Sequence, residues 1–376
     1  MTRHALIAWA AFACLCLSAA DAALAQGGPS GRAPPPEGEA AIAQRMNANT
    51  VTVISGTPGG TYFRMASDLA FALDDGDALR ILPVLGKGAG QNAYDVRFLR
   101  GIDLAFVRTD TLDQLRQDPR LRNIESHIAY VARLFNDELH VIASRDITDY
   151  RQLEGKKVSF DVKGSGSDYT GRAMFDGLGL KVEAVNVDQP TALKLLAAGE
   201  IAALVSVAAK PVAVLTSITD AERYHFLEMP YTEPLMKNYF PARLTHDDYP
   251  RLVAAGESVN TAAVGTILAS YAWPERSDRY RRIARFVDAF FSKIDALQQP
   301  QRHPKWNEVN LEASVAGWSR FPAAQEWLDA HRGGGAVSAA TRQALRRDLR
   351  DRAPDLRPGE RDRLLDEFMR WRASRQ

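Results

Sequence analysis

The sequence predicts an α/β fold built as two similar lobes, and three observations predict it. Short apolar runs alternate with helix-period stretches from about residue 49 onward. The alternation is made twice, once before and once after about residue 145. Each pass carries a glycine-rich turn directly between a strand and a helix, SGTPGGTY at 55–62 and KGSGS at 163–167.

In the first pass, VTVI (51–54) leads to a helix over about 61–73, LRILPVL (79–85) to a helix through 94–99, and DLAFV (103–107) to a helix around 111–117. Two further strands follow, HIAYVARL (127–134) and ELHVIAS (138–144). The second pass runs from KKVSFDV (156–162) to a helix over 168–178, then KVEAVNV (181–187), a helix over 190–198, and IAALVSV (201–207). After residue 231 the pattern turns irregular and aromatic through NYFPARLTHDDYP (238–250). A strand at 258–270, SVNTAAVGTILAS, and a long amphipathic helix over about 276–297 complete the pattern.

The ends read differently. Arg3, an apolar run over 5–20 and Ala23-Leu24-Ala25 form a secretory signal peptide, residues 1–25, with cleavage before Gln26. Both cysteines, Cys14 and Cys16, lie inside it, so the mature chain is expected to have no disulfide, thiol nucleophile or thiolate metal site. No later stretch has the roughly 20 apolar residues that spanning a bilayer requires, so the mature protein is expected to be soluble outside the cytoplasm, in the periplasm. Residues 26–48, rich in Gly, Pro and Ala, read as a flexible leader. Residues 331–376, dense in both charge signs, read as an exposed helical tail. The net charge of +1 gives no overall attraction to nucleic acid or an anionic membrane.

The chemistry lies in the loops. A helix begins with backbone N–H groups that have no intrahelical partner, and its dipole makes that end a place for an anion. Gly56, Gly59 and Gly60 let the backbone turn and approach a ligand, while Thr57, Thr61 and Tyr62 add hydroxyls. Gly164, Ser165, Gly166 and Ser167 offer the same set before the second helix. A third turn, GKGAGQN (86–92), contributes Lys87, Gln91 and Asn92. Either glycine loop alone reads equally well as an ordinary turn with a capping hydroxyl, and their equivalent placement favours one ligand held between lobes.

Enzymatic patterns are weak. SGTPGGTYF lacks the GK[ST] of a phosphate loop, there is no GxSxG turn, and none of His127, His140, His225, His246, His303 and His331 stands at metal-ligand spacing from another histidine on a helix face. His246-Asp247-Asp248, before Tyr249-Pro250, reads as a surface turn. No cofactor is expected.

These loops resemble three ordered motifs of the TAXI-type solute-binding proteins of TRAP transporters. The family's GTGGTGGxYY is matched by SGTPGGTYF, its TGGSxxN with a GxxDLA strand by GKGAGQNAYDVRFLRGIDLAF, and its PGSGT by KGSGS. Pro58 stands for a usual glycine, Phe63 for the second tyrosine and Ser167 for threonine, and either Asn92 or Asp95 stands where the family has its Asn. The likeness covers about 50–297, leaving HPKWNEVNLEASVAGWSRFPAAQEWLDAH (303–331) beyond it.

The resemblance implies a type II periplasmic-binding-protein fold, with lobe 1 at 49–143 plus 257–330, lobe 2 at 146–256, and ELHVIAS and SVNTAAVGTILAS as the crossing strands. It implies a monomeric receptor that holds a small organic anion, such as glutamate or a dicarboxylate, and hands it to a TRAP-type permease. The ligand residues are then Gly56, Thr57, Gly60, Thr61, Tyr62, Gln91, Asn92, Ser165, Gly166, Ser167 and Lys210. Lys87, Arg108, Lys163 and Lys210 are the local cations able to read a second carboxylate, although each reads more readily as a surface charge, and Lys210 stands out because it follows IAALVSVAA at a strand end. The other readings are a secreted enzyme using Asp161 and Asp168, and a ligand-binding receptor for a membrane sensor kinase.

Overall fold

The computed structural model describes residues 37–76 and 78–331. The expected signal peptide and all but the first residue of the charged tail lie outside the described residues. The second part of the expected flexible leader is instead a helix, α1 (Glu37–Asn49). EGEAAIAQRMNAN is free of proline and rich in Ala, Glu, Gln, Arg and Met, whose side chains lose little freedom in a helix.

The first pass folds as β1 (Thr50–Ile54), α2 (Thr61–Leu73), β2 (Arg80–Val84), α3 (Ala89–Phe98), β3 (Leu104–Arg108) and α4 (Thr109–Gln117). A long strand, β4 (Ile128–Ser144), follows. The second pass gives β5 (Lys157–Ser159), α5 (Arg172–Gly177), β6 (Glu183–Val185), α6 (Gln189–Ala197) and β7 (Ala203–Ala208). Then come α7 (Ala213–Thr216), β8 (Tyr224–Phe226), α8 (Glu233–Met236), β9 (Phe240–Thr245) and a second long strand, β10 (Ser258–Tyr271). The chain ends in α9 (Asp278–Ser292), α10 (Ile294–Leu297), a 3-10 turn at Pro304–Glu308 and α11 (Pro322–His331).

All ten strands join one sheet in the order β2-β1-β3-β10-β4-β7-β5-β6, with β8 on β4 and β9 on β10. Within this order each pass makes the same parallel block, β2-β1-β3 and β6-β5-β7, and the antiparallel β10 and β4 stand between them. The two passes therefore form two α/β lobes bridged by two long strands.

Side chains alternate across the sheet, as period-2 strands must. On β3, Leu104 and Phe106 enter a core with Met65, Leu69 and Phe286, while Ala105 and Val107 enter another with Val96, Leu112 and Trp318. The second block is likewise packed on both faces, by Phe160, Phe175 and Val205 on one and Leu196, Leu204 and Tyr249 on the other.

Three expectations are corrected. HIAYVARL and ELHVIAS are one 17-residue strand, because Asn136 and Asp137, which look like turn residues, pair with Gly265 and Val264 of β10. The aromatic stretch after residue 231 contains β9, registered on β10 from Thr245–Ser258 to Phe240–Ala263. The helix expected over 168–178 begins as one wider turn at Ser167–Gly171 and is α-helical only from Arg172.

The segment beyond residue 300 packs on the core of the first pass. Trp306, Phe321 and Leu328 join the core that α9 covers with Ile283, Phe286 and Phe290, and Trp306 is fully buried.

Candidate interlobe ligand site

In parallel α/β sheets ligands gather beyond the C-terminal ends of strands. Here those ends converge from both lobes. Arg108, the last residue of β3, pairs with Thr266 of β10, and Ala208, the last of β7, pairs with Glu138 of β4. The glycine loops leave from the C-terminal ends of β1 and β5, the parallel neighbours of β3 and β7.

In the first loop, Thr57, Pro58, Gly59 and Gly60 make a type II turn, with Gly60 N donating to Thr57 O at 3.0 Å and Gly59 at φ 78. Proline suits the second position of such a turn, which accounts for Pro58 where a resembling loop has glycine. Gly60 then caps α2 without any side-chain bond, leaving its first amides to other acceptors. Gly56 is buried and its carbonyl accepts from Gly86 N at 3.3 Å.

Other predicted residues have partners of their own. Thr61 Oγ1 donates to Ala209 O at 3.2 Å, a bond from lobe 1 to lobe 2. Tyr62 turns inward, stacks on Phe106 with centroids 5.2 Å apart, and donates its hydroxyl to Asp137 Oδ2 at 2.5 Å. Asn92 is buried, and its Nδ2 donates to Ser55 O at 2.8 Å and Phe106 O at 2.9 Å, tying β1 and β3 together. Gln91 donates to Asp95 Oδ1 at 3.0 Å along the helix.

In the second loop, Ser165 Oγ accepts from Asp168 N at 3.2 Å, and Ser167 Oγ accepts from Val207 N at 3.0 Å. Both serines are buried, and each hydroxyl keeps its own proton to donate. Gly166 has no side chain where one would collide with Arg108: a Cβ there would fall 1.7 Å from the Nη1 atom. Gly90 is held as closely, since its Cβ would fall 2.4 Å from the Tyr169 ring. The loops of the two lobes thus close directly on each other.

Arg108 is the centre of this contact. Its Nε donates to Asp137 Oδ2 at 2.6 Å, its Nη2 donates to Val207 O across the lobes, and Nη1 has no partner. Burial opposes its charge, but Asp137, Tyr62 and Asp110 together hold its pKa above the ordinary value. Asp137 also accepts from Thr266 Oγ1 at 2.9 Å, and its Oδ1 has no partner.

Lys210, singled out from the sequence, is not at this centre. Its ammonium donates to Asp248 Oδ2 at 2.8 Å and Arg243 O at 2.7 Å, which completes the turn at 245–248. Lys87 and Lys163 are exposed. His246 Nδ1 lies 2.8 Å from Val253 O and Asp248 is taken by Lys210 and Thr245, so these residues form a turn. Among the described residues no group of three potential metal ligands comes together.

The two carboxylates of the enzyme reading have different surroundings. Asp161, half-buried and at φ 66, is pushed up to about 6 by burial. Asp168 is also desolvated, yet Gly164 N, Arg172 and Asn186 keep it below the ordinary range. Arg172 Nε lies 2.5 Å from its Oδ1, so Asp168 is committed to an ion pair.

Sequence reasoning passed over Asp137, Thr266, Glu138 and Lys305. Glu138 accepts from Lys305 Nζ at 2.5 Å and from Lys210 N at 3.0 Å, joining the segment beyond residue 300 to the second lobe. The available signal was Asp137-Glu138 between two apolar runs, a pair of charges that must be buried if the strand is continuous. Two cavities lie to the side of the Arg108–Asp137 pair. One of about 550 Å³ is lined by Met229, Tyr231, Arg243 and Asn260, and one of about 210 Å³ by Asp110, Gln114, Leu235 and Tyr239.

Residues 53–322 match the NMT1-like family. Among solved structures, the chain is similar to one described as a periplasmic transporter, at 14% identity and TM-score 0.48 over 77% of this chain and 96% of that one. It is also similar to a TctC solute-binding protein from Polaromonas, at 16% identity and TM-score 0.36 over 65% and 88%. A third likeness is the methionine-binding protein MetQ, at 14% identity and TM-score 0.39 over 69% and 96%. No curated protein is similar enough to count as a relative. The family match runs from β1 to the start of α11, through both lobes and every loop of the site, and this chain belongs to the NMT1-like family.

Proposed function

We propose that the protein is a periplasmic solute-binding receptor that holds a small organic anion between its lobes and delivers it to a TRAP-type membrane permease. The observation that carries the reading is the Arg108 guanidinium, buried where the two lobes meet and left with Nη1 unpartnered. A carboxylate is the natural partner for a buried, charged donor. Lobe 1, at 49–143 plus 257–330, presents the Thr61 amide at the start of α2, and lobe 2, at 146–256, presents the Ser165 and Ser167 hydroxyls.

Because the loops touch one another, a solute enters only as the lobes separate about the midpoints of β4 and β10, and closure upon it is a population shift driven by contacts made in the closed state. Gly56, Thr57 and Asn92 shape the walls rather than meet the solute. Tyr62 acts through Asp137.

The test is a thermal-shift screen of the secreted chain against organic acids, amino acids, sugars and phosphates, since a ligand bound only by the folded state raises the melting temperature. An organic acid is the expected best hit, and Tyr62→Phe or Ser165→Ala weakens it. Sugars alone stabilising the protein, with both substitutions silent, overturns the reading, and turnover of the hit points to the enzyme instead.

A further inference from the structure

Building on the receptor reading, we infer that the solute carries a protonated nitrogen beside its carboxylate, so that the cleft takes zwitterions and rejects dianions. Two buried atoms of one ion pair lack partners, and they want opposite things. Arg108 Nη1 is a donor without an acceptor, and Asp137 Oδ1 is an acceptor without a donor. The Arg108 side chain is 3% exposed and that of Asp137 is 0% exposed, so bulk water does not satisfy either. A simple carboxylate answers only the first.

The local charge decides what kind of donor answers the second. The charge of Arg108 is felt by three carboxylates, Asp137, Asp110 and Asp161. Asp137 takes the direct ion pair. Asp110 is buried and accepts from Thr111 N at 2.7 Å and Tyr239 OH at 3.3 Å, and Asp161 accepts from Val162 N at 2.8 Å. Among the described residues neither of these two forms an ion pair with a lysine or arginine.

Three neighbouring cations are committed, Arg172 to Asp168, Lys210 to Asp248, and Lys305 to Glu138 and Glu308, while Lys87 and Lys163 on the loops are exposed to solvent. A second carboxylate would therefore enter a region that is already net negative, whereas an ammonium lowers the cost of three desolvated acids at once. Asp110 also lines the cavity of about 210 Å³, together with Asp113, Gln114, Gln117, Asn238 and Tyr239, and no basic residue contributes to its wall.

The experiment is calorimetric titration of the wild-type chain with matched solutes: norvaline against pentanoate and pentylamine, and glutamate against glutarate. The zwitterion is expected to bind at least about 30-fold more tightly than its partner lacking nitrogen, the factor that 2 kcal/mol for one desolvated charge contact corresponds to. Asp137→Asn should shrink that ratio, weakening the amino acid more than pentanoate, although it also loosens the hold on Arg108. Should the variant fail to fold, the comparison on the wild type still decides. Pentanoate or glutarate binding as tightly as the amino acid overturns the inference and leaves the anion receptor standing. If none of the acids binds, with or without nitrogen, the receptor reading falls as well.

Discussion

Gly166→Ala places a single methyl group against the Arg108 guanidinium. Gly166 sits at φ −62 and ψ −36, an ordinary right-handed conformation, so alanine adds no backbone strain and the effect is steric alone. The new Cβ would lie 1.7 Å from Nη1, 2.5 Å from Cζ and 2.9 Å from Nη2. An arginine tip free in solvent would swing aside. Here Asp137 holds Nε at 2.6 Å and the Val207 carbonyl holds Nη2, so the tip is pinned on two sides.

Restoring normal contact requires a retreat of about 2 Å, more than either bond tolerates. One charged hydrogen bond is lost, at about 1.5–3 kcal/mol, or the lobes part to let water reach it. The stiffer unfolded chain returns about 0.4–1 kcal/mol, leaving a net loss of about 1–2 kcal/mol. Urea unfolding reads the loss as a lower midpoint with unchanged slope, and small-angle X-ray scattering reads any opening as a larger radius of gyration. An unchanged scattering curve together with an equal or higher midpoint refutes the claim that Arg108 is locked between the lobes.

Trp306→Ala is expected to cost about 3–5 kcal/mol in urea unfolding, because the indole is fully buried and its Nε1 donates to Asp68 Oδ2 at 3.0 Å; a loss below 1 kcal/mol would place the segment outside the core. Lys305→Met leaves Glu138 buried without its ammonium, a loss of about 3–5 kcal/mol at pH 8 that shrinks in acid as the carboxyl takes a proton. A pH-independent loss would contradict that cause. Asp161 is pushed up to about 6 by burial, so the folded state holds its proton more tightly than the unfolded chain and stability falls as pH rises from about 4 to about 6. Asp161→Asn removes this fall, so the variant should gain on the wild type across that window and level off above it. A flat difference between the two profiles would show that Asp161 is not desolvated.

Much of the fold could be read locally. Most strands and helices of the two passes follow from their own apolar periods, and the repeat of the pattern corresponds to the repeated block order in the sheet. What escaped depends on distant partners. Asn136 and Asp137 look like a turn until Val264 and Gly265 are laid beside them.

The site was legible to the same degree. The glycine loops were found because their spacing marks a strand-to-helix turn. Arg108 was one of four cations at strand ends, and choosing it over Lys210 needed the register of β3 and β7 against the bridging strands. Asp248, 38 residues away, is what removes Lys210 from contention.

The most direct test of the account is calorimetric binding of the best-stabilising organic acid to the wild type and to Arg108→Met. The account predicts saturable one-to-one binding without product, and loss of that binding in a variant whose unfolding shows it still folds. Undiminished binding in a folded Arg108→Met protein would contradict it.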